Sequence, residues 1–170
     1  MIDVVNRGRG GDEARAELDR FREDVLDENP SLVIWQVGTN AVWKGYDLGG
    51  VASAIDTGLK LLLRSDPEMD VVLMDMQYAP AILSANRIKA AERMVELISQ
   101  VAAANPPVNL FRRFDLMRRW HEVEKYSFDQ MIDPSDVDRL HQSDWSARRV
   151  GQALCDAIVS TAMRGSATVL

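Results

Sequence analysis

The chain has 170 residues and a net charge of -6, with 20 Lys and Arg against 26 Asp and Glu. This length predicts a single domain, residues 1–170, with room for a sizeable core. The share of hydrophobic residues, 46%, excludes disordered and fibrous classes. The acidic balance argues against nucleic acid or an anionic membrane as partner, because those partners require a basic surface. No apolar run approaches the roughly 18 residues that span a bilayer.

The start of the chain and its single cysteine bear on localisation. Met1 leads directly into the apolar residues 2–5, without the features of a signal peptide. Cys155 has no partner for an internal disulfide, and its place in a helical pattern predicts a small buried thiol. The chain as it stands reads as cytoplasmic, but an upstream segment carrying an export signal would change that reading, so localisation is left open.

Short β-rich runs alternate with amphipathic helical patterns along the whole chain. The expected strands cover residues 1–5, 31–37, 70–76 and 108–111. The expected helices cover residues 12–25, 47–63, 88–102 and 115–123, with a last helix after residue 143. This alternation predicts parallel βαβ units in an α/β domain, with an open sheet covered on both faces.

In such sheets functional groups gather at the carboxyl ends of the strands, and two of these ends carry candidates. The glycine-rich residues 8–11 precede the first helix, but Glu13 stands where a dinucleotide-binding loop needs a third glycine. The loop does offer backbone N–H groups to a developing negative charge, and the alternative is a simple tight turn. Asn40 follows the buried second strand and presents an amide donor, with an ordinary Asx turn as the alternative.

A third candidate precedes the last helix, where Asp138 and His141 are three residues apart. A hydrolytic base requires a histidine whose tautomer is fixed by a carboxylate, and Asp138 can fold back to bond Nδ1. The alternative is a surface pair in a polar loop. The arginines at 112, 113, 118 and 119 are expected to form a solvated face, and the surroundings of His121 do not have the spacing of a metal site.

Taken together, these segments resemble the SGNH, or GDSL-like, hydrolase family of serine esterases and acyl hydrolases. The resemblance rests on the glycine block at residues 5–12, the block Val37-Gly38-Thr39-Asn40 and the block Asp138-Arg139-Leu140-His141, in this order. It implies a flavodoxin-like three-layer fold, an ester of a small molecule or carbohydrate as substrate, and no metal or organic cofactor.

The resemblance also implies a role for each site residue. Gly11 would supply a backbone oxyanion donor and Asn40 a side-chain donor. His141 would be the general base, and Asp138 would orient it. Asn40 is followed by Ala41 where many members of the family carry Asp, which is a minor departure.

The major departure concerns the nucleophile. The family's Gly-Asp-Ser block precedes the glycine block, and no such block occurs in this sequence. Ser143 is expected to cap the last helix, and neither Ser84 nor Cys155 has the sequence signature of a nucleophile. We therefore expect the serine upstream of Met1, with a strand and a helix of roughly 30 or more residues.

Two further expectations follow from the absence of that unit. Without its first strand the sheet has a gap or an unpaired edge, which invites dimerisation between copies of the chain. The alternative to an ester hydrolase is a catalytically inactive binding domain that retains the scaffold.

Overall fold

The computed structural model describes residues 2–166, and the side chains of residues 2–161. The strands are β1 (Leu32–Gln36), β2 (Asp70–Met74) and β3 (Asn109–Phe111). The helices are α1 (Ala14–Asp19), α2 (Phe21–Asp24), α3 (Thr39–Lys44), α4 (Leu48–Ser65), α5 (Ile88–Ala104), α6 (Arg113–Glu122), α7 (Phe128–Met131) and α8 (Asp144–Ser166), and a short 3₁₀ helix covers Leu26–Glu28. No helix in this part of the chain is long and apolar enough to cross a membrane.

The three strands form one parallel sheet in the order β1-β2-β3. Trp35 pairs with Leu73 on the neighbouring strand, and Leu73 pairs in turn with Leu110 on β3. Four of the five residues of β2 are buried, as expected for a central strand that is covered on both faces. The predicted parallel α/β architecture is therefore confirmed.

Alternate residues of β1 identify the helices on each face of the sheet. Trp35 faces α4, where a Cβ on Gly58 would lie 2.6 Å from its ring. The next residue, Gln36, points to the opposite face and accepts a hydrogen bond from Arg113 at the start of α6. The sheet therefore lies between two helical layers, with α1, α4 and α5 packed together on one side. The indole rings of Trp120 and Trp145 join α6 to α8 on the other side, with 5.8 Å between their centroids.

The first expected strand does not form. Residues 2–9 have no regular structure, and Ile2 and Val4 are 90% and 88% exposed. A strand requires a neighbour for its N–H and C=O groups, and no described strand pairs with residues 2–5. In residues 2–166, β1 pairs only with β2, and Ile34 on β1 is 44% exposed. The expected unpaired edge is present.

Three other expectations are corrected by the tertiary packing. Arg113, the first residue of α6, is 2% exposed and does not belong to a solvated face, because its side chain is buried against Asp75 and Gln36. Cys155 is exposed on α8 and not buried. The first expected helix is divided at Arg20 into α1 and α2, although Ala14 and Phe21 from its predicted apolar stripe are buried.

Candidate active site

Asn40 lies in the first turn of α3, which starts directly after β1. Gly38 begins this helix with a φ of 94°, a conformation that favours glycine. A Cβ at Gly38 would lie 2.8 Å from Ile98 and 3.2 Å from Met94 on α5. Only glycine allows the chain to turn this closely against α5, and the turn places Asn40 at the carboxyl edge of the sheet.

The glycine loop (residues 6–13) packs against the residues that follow β1. The Asn40 amide donates to the carbonyl of Asp12 over 2.6 Å, and Lys44 Nζ donates to the carbonyl of Gly11 over 2.5 Å. Arg20 fixes the loop from the other side by donating to Asp12 and to the backbone of Arg7. The structure thus joins Asn40 to Asp12, the residue after Gly11. The second N–H of the Asn40 amide makes no hydrogen bond among the described residues.

His141 lies in the histidine loop (residues 133–143), which reaches the same edge of the sheet beyond β2. Gln77, three residues after β2, donates its side-chain amide to the carbonyl of Leu140 over 2.8 Å. The backbone N–H of Ala81 also donates to Arg139 at 3.4 Å. The side chain of His141 is 71% exposed, so a ligand can reach its ring. No hydrogen bond joins the histidine loop to Asn40 within the described residues.

The carboxylate nearest to His141 is that of Asp136, not that of Asp138. His141 Nδ1 lies 3.0 Å from Asp136 Oδ2, which also accepts the backbone N–H groups of Leu140 and His141 at 2.7 Å each. The N–H of His141 and the other backbone donors lower the pKa of Asp136 to about 2. Asp138 is exposed, and its side chain makes no hydrogen bond among the described residues. The expected contact between Asp138 and His141 is thus not formed in this structure.

Two buried polar residues, Asp75 and Arg113, lie beneath the site, and the sequence did not predict them. Arg113 Nε donates to the carbonyl of Asp75 at 3.1 Å, and its Nη1 donates to Gln36 at 2.8 Å and to Gln142 at 3.5 Å. The Asp75 carboxylate accepts the backbone N–H of Phe114 and so caps α6. The only sequence signal was the position of Asp75 and Arg113, each just beyond the end of a strand.

Burial is the main cause of the shifted pKa values of Asp75 and Arg113. Asp75 is fully buried, which raises the pKa of its carboxyl to about 7, against the opposing effect of the Phe114 N–H and the Arg113 charge. Burial likewise lowers the pKa of Arg113 to about 10. Asp75 Oδ2 and Arg113 Nη2 have no hydrogen-bond partner among the described residues.

Two of the residues considered as internal nucleophiles, Ser143 and Cys155, are not placed for that role. Ser143 Oγ donates to the carbonyl of Gln130 and accepts the N–H of Ser146, as expected of a helix cap. Cys155 is exposed on α8. It does not lie at the N-terminal end of this helix, which is the end that follows the histidine loop. Within residues 2–166 there is no group of three or more His, Cys, Asp or Glu that could hold a metal ion.

A parallel α/β sheet with a glycine loop, an asparagine and a histidine loop at its carboxyl edge defines the SGNH-like class of proteins. A family profile described as the Non-GDSL lipase-like family matches residues 1–164. The chain belongs to this family.

Solved structures show the same fold. The chain superposes on acetyl xylan esterase AlAXEase with a TM-score of 0.73 and 22% identity, covering 89% of this chain and 78% of that one. A variant of an acetyl-xylooligosaccharide esterase from Geobacillus stearothermophilus superposes with a TM-score of 0.72 and 19% identity. This match covers 88% of this chain and 69% of the esterase. A lipase/acylhydrolase from Enterococcus faecalis superposes with a TM-score of 0.65 and 21% identity. This match covers 92% of this chain and 72% of the acylhydrolase.

One curated relative matches over a shorter stretch. An acetylxylan esterase from Geobacillus stearothermophilus is 43% identical over 47 residues, or 28% of this chain. The match spans only 22% of the relative's own length.

Proposed function

We propose that the protein is an ester hydrolase of the acylhydrolase type. The observation that carries the proposal is the arrangement at the carboxyl edge of the sheet. The hydrogen bond from Asn40 to Asp12 lies beyond β1, and Gln77 connects the loop of the Asp136–His141 pair to the end of β2. Family membership and the activities of the similar proteins support the same reaction class.

The reaction is a two-step acyl transfer. A serine hydroxyl attacks the ester carbonyl while Nε2 of His141 takes the hydroxyl proton, and that proton then passes to the departing alcohol. Water, deprotonated by the same histidine, releases the acid from the acyl-enzyme. The N–H of Gly11 and the amide of Asn40 stabilise the oxyanion in both steps. The serine is proposed to come from a segment upstream of Met1.

A carboxylate must orient the imidazole and stabilise its charged form. Asp138 holds the position implied by the family resemblance, whereas Asp136 makes the contact with Nδ1 in the structure. Both remain candidates for this role, and they differ in a testable way because only one of them is in contact with the ring.

The proposed substrates are acetyl esters of carbohydrates or small alcohols. The support is the acetylxylan esterase named among the relatives, together with the aromatic residues Trp43 and Tyr46 near Asn40. Tyr46 is 46% exposed and lines a shallow groove with Glu13 and Asp47, where an aromatic face and carboxylates suit a sugar ring.

The test compares hydrolysis of 4-nitrophenyl acetate by this chain and by a form extended through any reading frame upstream of Met1. We expect turnover in the extended form, and its loss on His141→Ala. His121→Ala is the matched control, because the sequence has only two histidines. Full activity of the His141→Ala variant would contradict the assignment.

A second candidate is a catalytically inactive binding domain. The placement of Ser143 as a helix cap and of Cys155 on the exposed surface of α8 favours it for the chain as it stands. An extension that adds a Gly-Asp-Ser segment and still gives no hydrolysis would support this reading over the first. Hydrolysis by the 170-residue chain alone would contradict it.

A further inference from the structure

The peptide unit that joins Leu140 to His141 is held by two side chains, while the carbonyl of His141 itself accepts the N–H of Asp133 at 3.0 Å within the loop. The carbonyl of this peptide unit accepts from Gln77 Nε2 at 2.8 Å, and its N–H donates to Asp136 Oδ2 at 2.7 Å. Both polar ends of this peptide are therefore held by side chains. A peptide plane that is fixed at both ends fixes the N and Cα atoms of His141, from which the side chain starts.

The two side chains differ in their surroundings. Asp136 belongs to the histidine loop itself and moves with it, whereas Gln77 follows the central strand β2 and is 7% exposed. The side chain of Leu140 is buried as well, at 5% exposure. The bond from Gln77 is thus the buried connection between the rigid sheet and the loop that carries the base. Removal of one partner of a buried hydrogen bond costs stability, because the other partner is left buried and unsatisfied.

We propose that Gln77 is a positioning residue that holds the backbone of His141 at the carboxyl edge of the sheet, where Asn40 and the glycine loop also lie. The inference rests on the proposed ester hydrolase function. Gln77 does not touch the reacting atoms; it acts through Leu140. Two longer connections do not hold this peptide: the N–H of Ala81 donates to Arg139 at 3.4 Å, and Arg113 donates to Gln142 on the far side of His141 at 3.5 Å.

The test replaces Gln77 with Met, which keeps the length of the side chain and removes the donor. Gln77→Asn, which keeps a buried amide but shortens the side chain, is the second variant. Gln100→Met is the matched control, because Gln100 is exposed on α5 and bonds only to Glu96.

The first readout requires no activity. In two-dimensional NMR spectra of the 170-residue chain, we expect the His141 imidazole and amide signals to shift in Gln77→Met while those of His121 stay in place. His121 lies on α6 and reports the integrity of the fold. Unchanged His141 signals in a folded Gln77→Met variant would overturn the proposal. So would equal changes at both histidines, or failure of both variants to fold, since each would assign Gln77 to general stability.

The second readout applies to a form that hydrolyses 4-nitrophenyl acetate. We expect kcat to fall on the order of 10- to 100-fold in Gln77→Met with KM unchanged, because misplacing a base weakens the transition state and not substrate binding. An unchanged kcat would overturn the proposal. Should no form hydrolyse the ester, the proposed function fails while the NMR comparison still decides the role of Gln77.

Discussion

Nδ1 of His141 lies 3.0 Å from Oδ2 of Asp136, a residue five positions earlier in the chain. The same oxygen accepts two backbone N–H groups of the loop, so this carboxylate organises the turn as well as the ring. Asp138, at the position implied by family resemblance, is exposed to solvent. The local conformation of the histidine loop therefore selects which carboxylate meets the imidazole.

This relationship predicts different outcomes for two neighbouring substitutions. In a form that hydrolyses esters, Asp136→Asn should lower kcat by at least about 100-fold, because an amide cannot stabilise the imidazolium or fix its tautomer. Asp138→Asn should change kcat by less than about threefold, since its side chain does not contact the ring in this structure. Steady-state kinetics on 4-nitrophenyl acetate decide between them. A larger loss of kcat in Asp138→Asn than in Asp136→Asn would show that Asp138 orients His141.

The buried carboxyl of Asp75 predicts a dependence of stability on pH. Its pKa is raised to about 7 from the usual 3.8, so between these values the folded chain holds a proton that the unfolded chain has released. The corresponding stabilisation is complete below about pH 4 and is lost as the pH rises through 7. At about 1.4 kcal/mol per pKa unit, the contribution is at most ~4 kcal/mol.

Asp75→Asn tests this dependence, because asparagine keeps the acceptor for the Phe114 N–H and does not titrate. Urea unfolding of both proteins across this pH range gives the difference between their free energies of unfolding. We expect the native chain to lose stability relative to Asp75→Asn as the pH rises from about 4 to about 8. The comparison removes the opposite effect of carboxylates with lowered pKa, such as Asp56 and Asp136. A difference that is constant with pH would contradict the assignment.

The contact between Gly58 and Trp35 predicts an unusual response to alanine. Alanine normally stabilises a helix relative to glycine by about 1 kcal/mol. At Gly58 the new methyl group would lie 2.6 Å from the Trp35 ring, so Gly58→Ala should destabilise the protein by about 1–3 kcal/mol. Gly151→Ala on α8 is the matched control, because nothing lies within 4 Å of its added Cβ. Thermal unfolding should move in opposite directions for the two variants, and a stabilised Gly58→Ala would refute the packing argument.

The free edge of β1 predicts association between copies of the 170-residue chain. Unpaired N–H and C=O groups beside the exposed Ile34 provide a template for a second strand. Light scattering after gel filtration should give a dimer, and Ile34→Lys should shift it to a monomer, since a charged edge opposes pairing. Leu61→Lys on α4 alters a comparably exposed apolar residue and should leave the dimer intact. A monomeric parent chain would exclude this edge as an interface.

Much of the framework could be read from periodicity, which is a local property of the chain. The apolar run that forms β2 and the stripe of α4 need no knowledge of their partners, and both elements were predicted close to their observed bounds. The turn at Gly38, and with it the place of Asn40 beyond β1, also followed from local pattern. Residues 2–5 show the limit of this reasoning, because an apolar run becomes a strand only beside another strand.

The amino-acid sequence by itself determined the α/β class, the order of the elements and the two segments in which Asn40 and His141 lie. Only the tertiary structure decided that Asp136 contacts His141, that Gln77 holds the adjoining peptide and that Arg113 is buried. The physical reason is that hydrogen-bond partners depend on loop conformation and on burial. These arise when elements far apart in sequence pack together, as with Gln77 and Leu140, which are 63 residues apart.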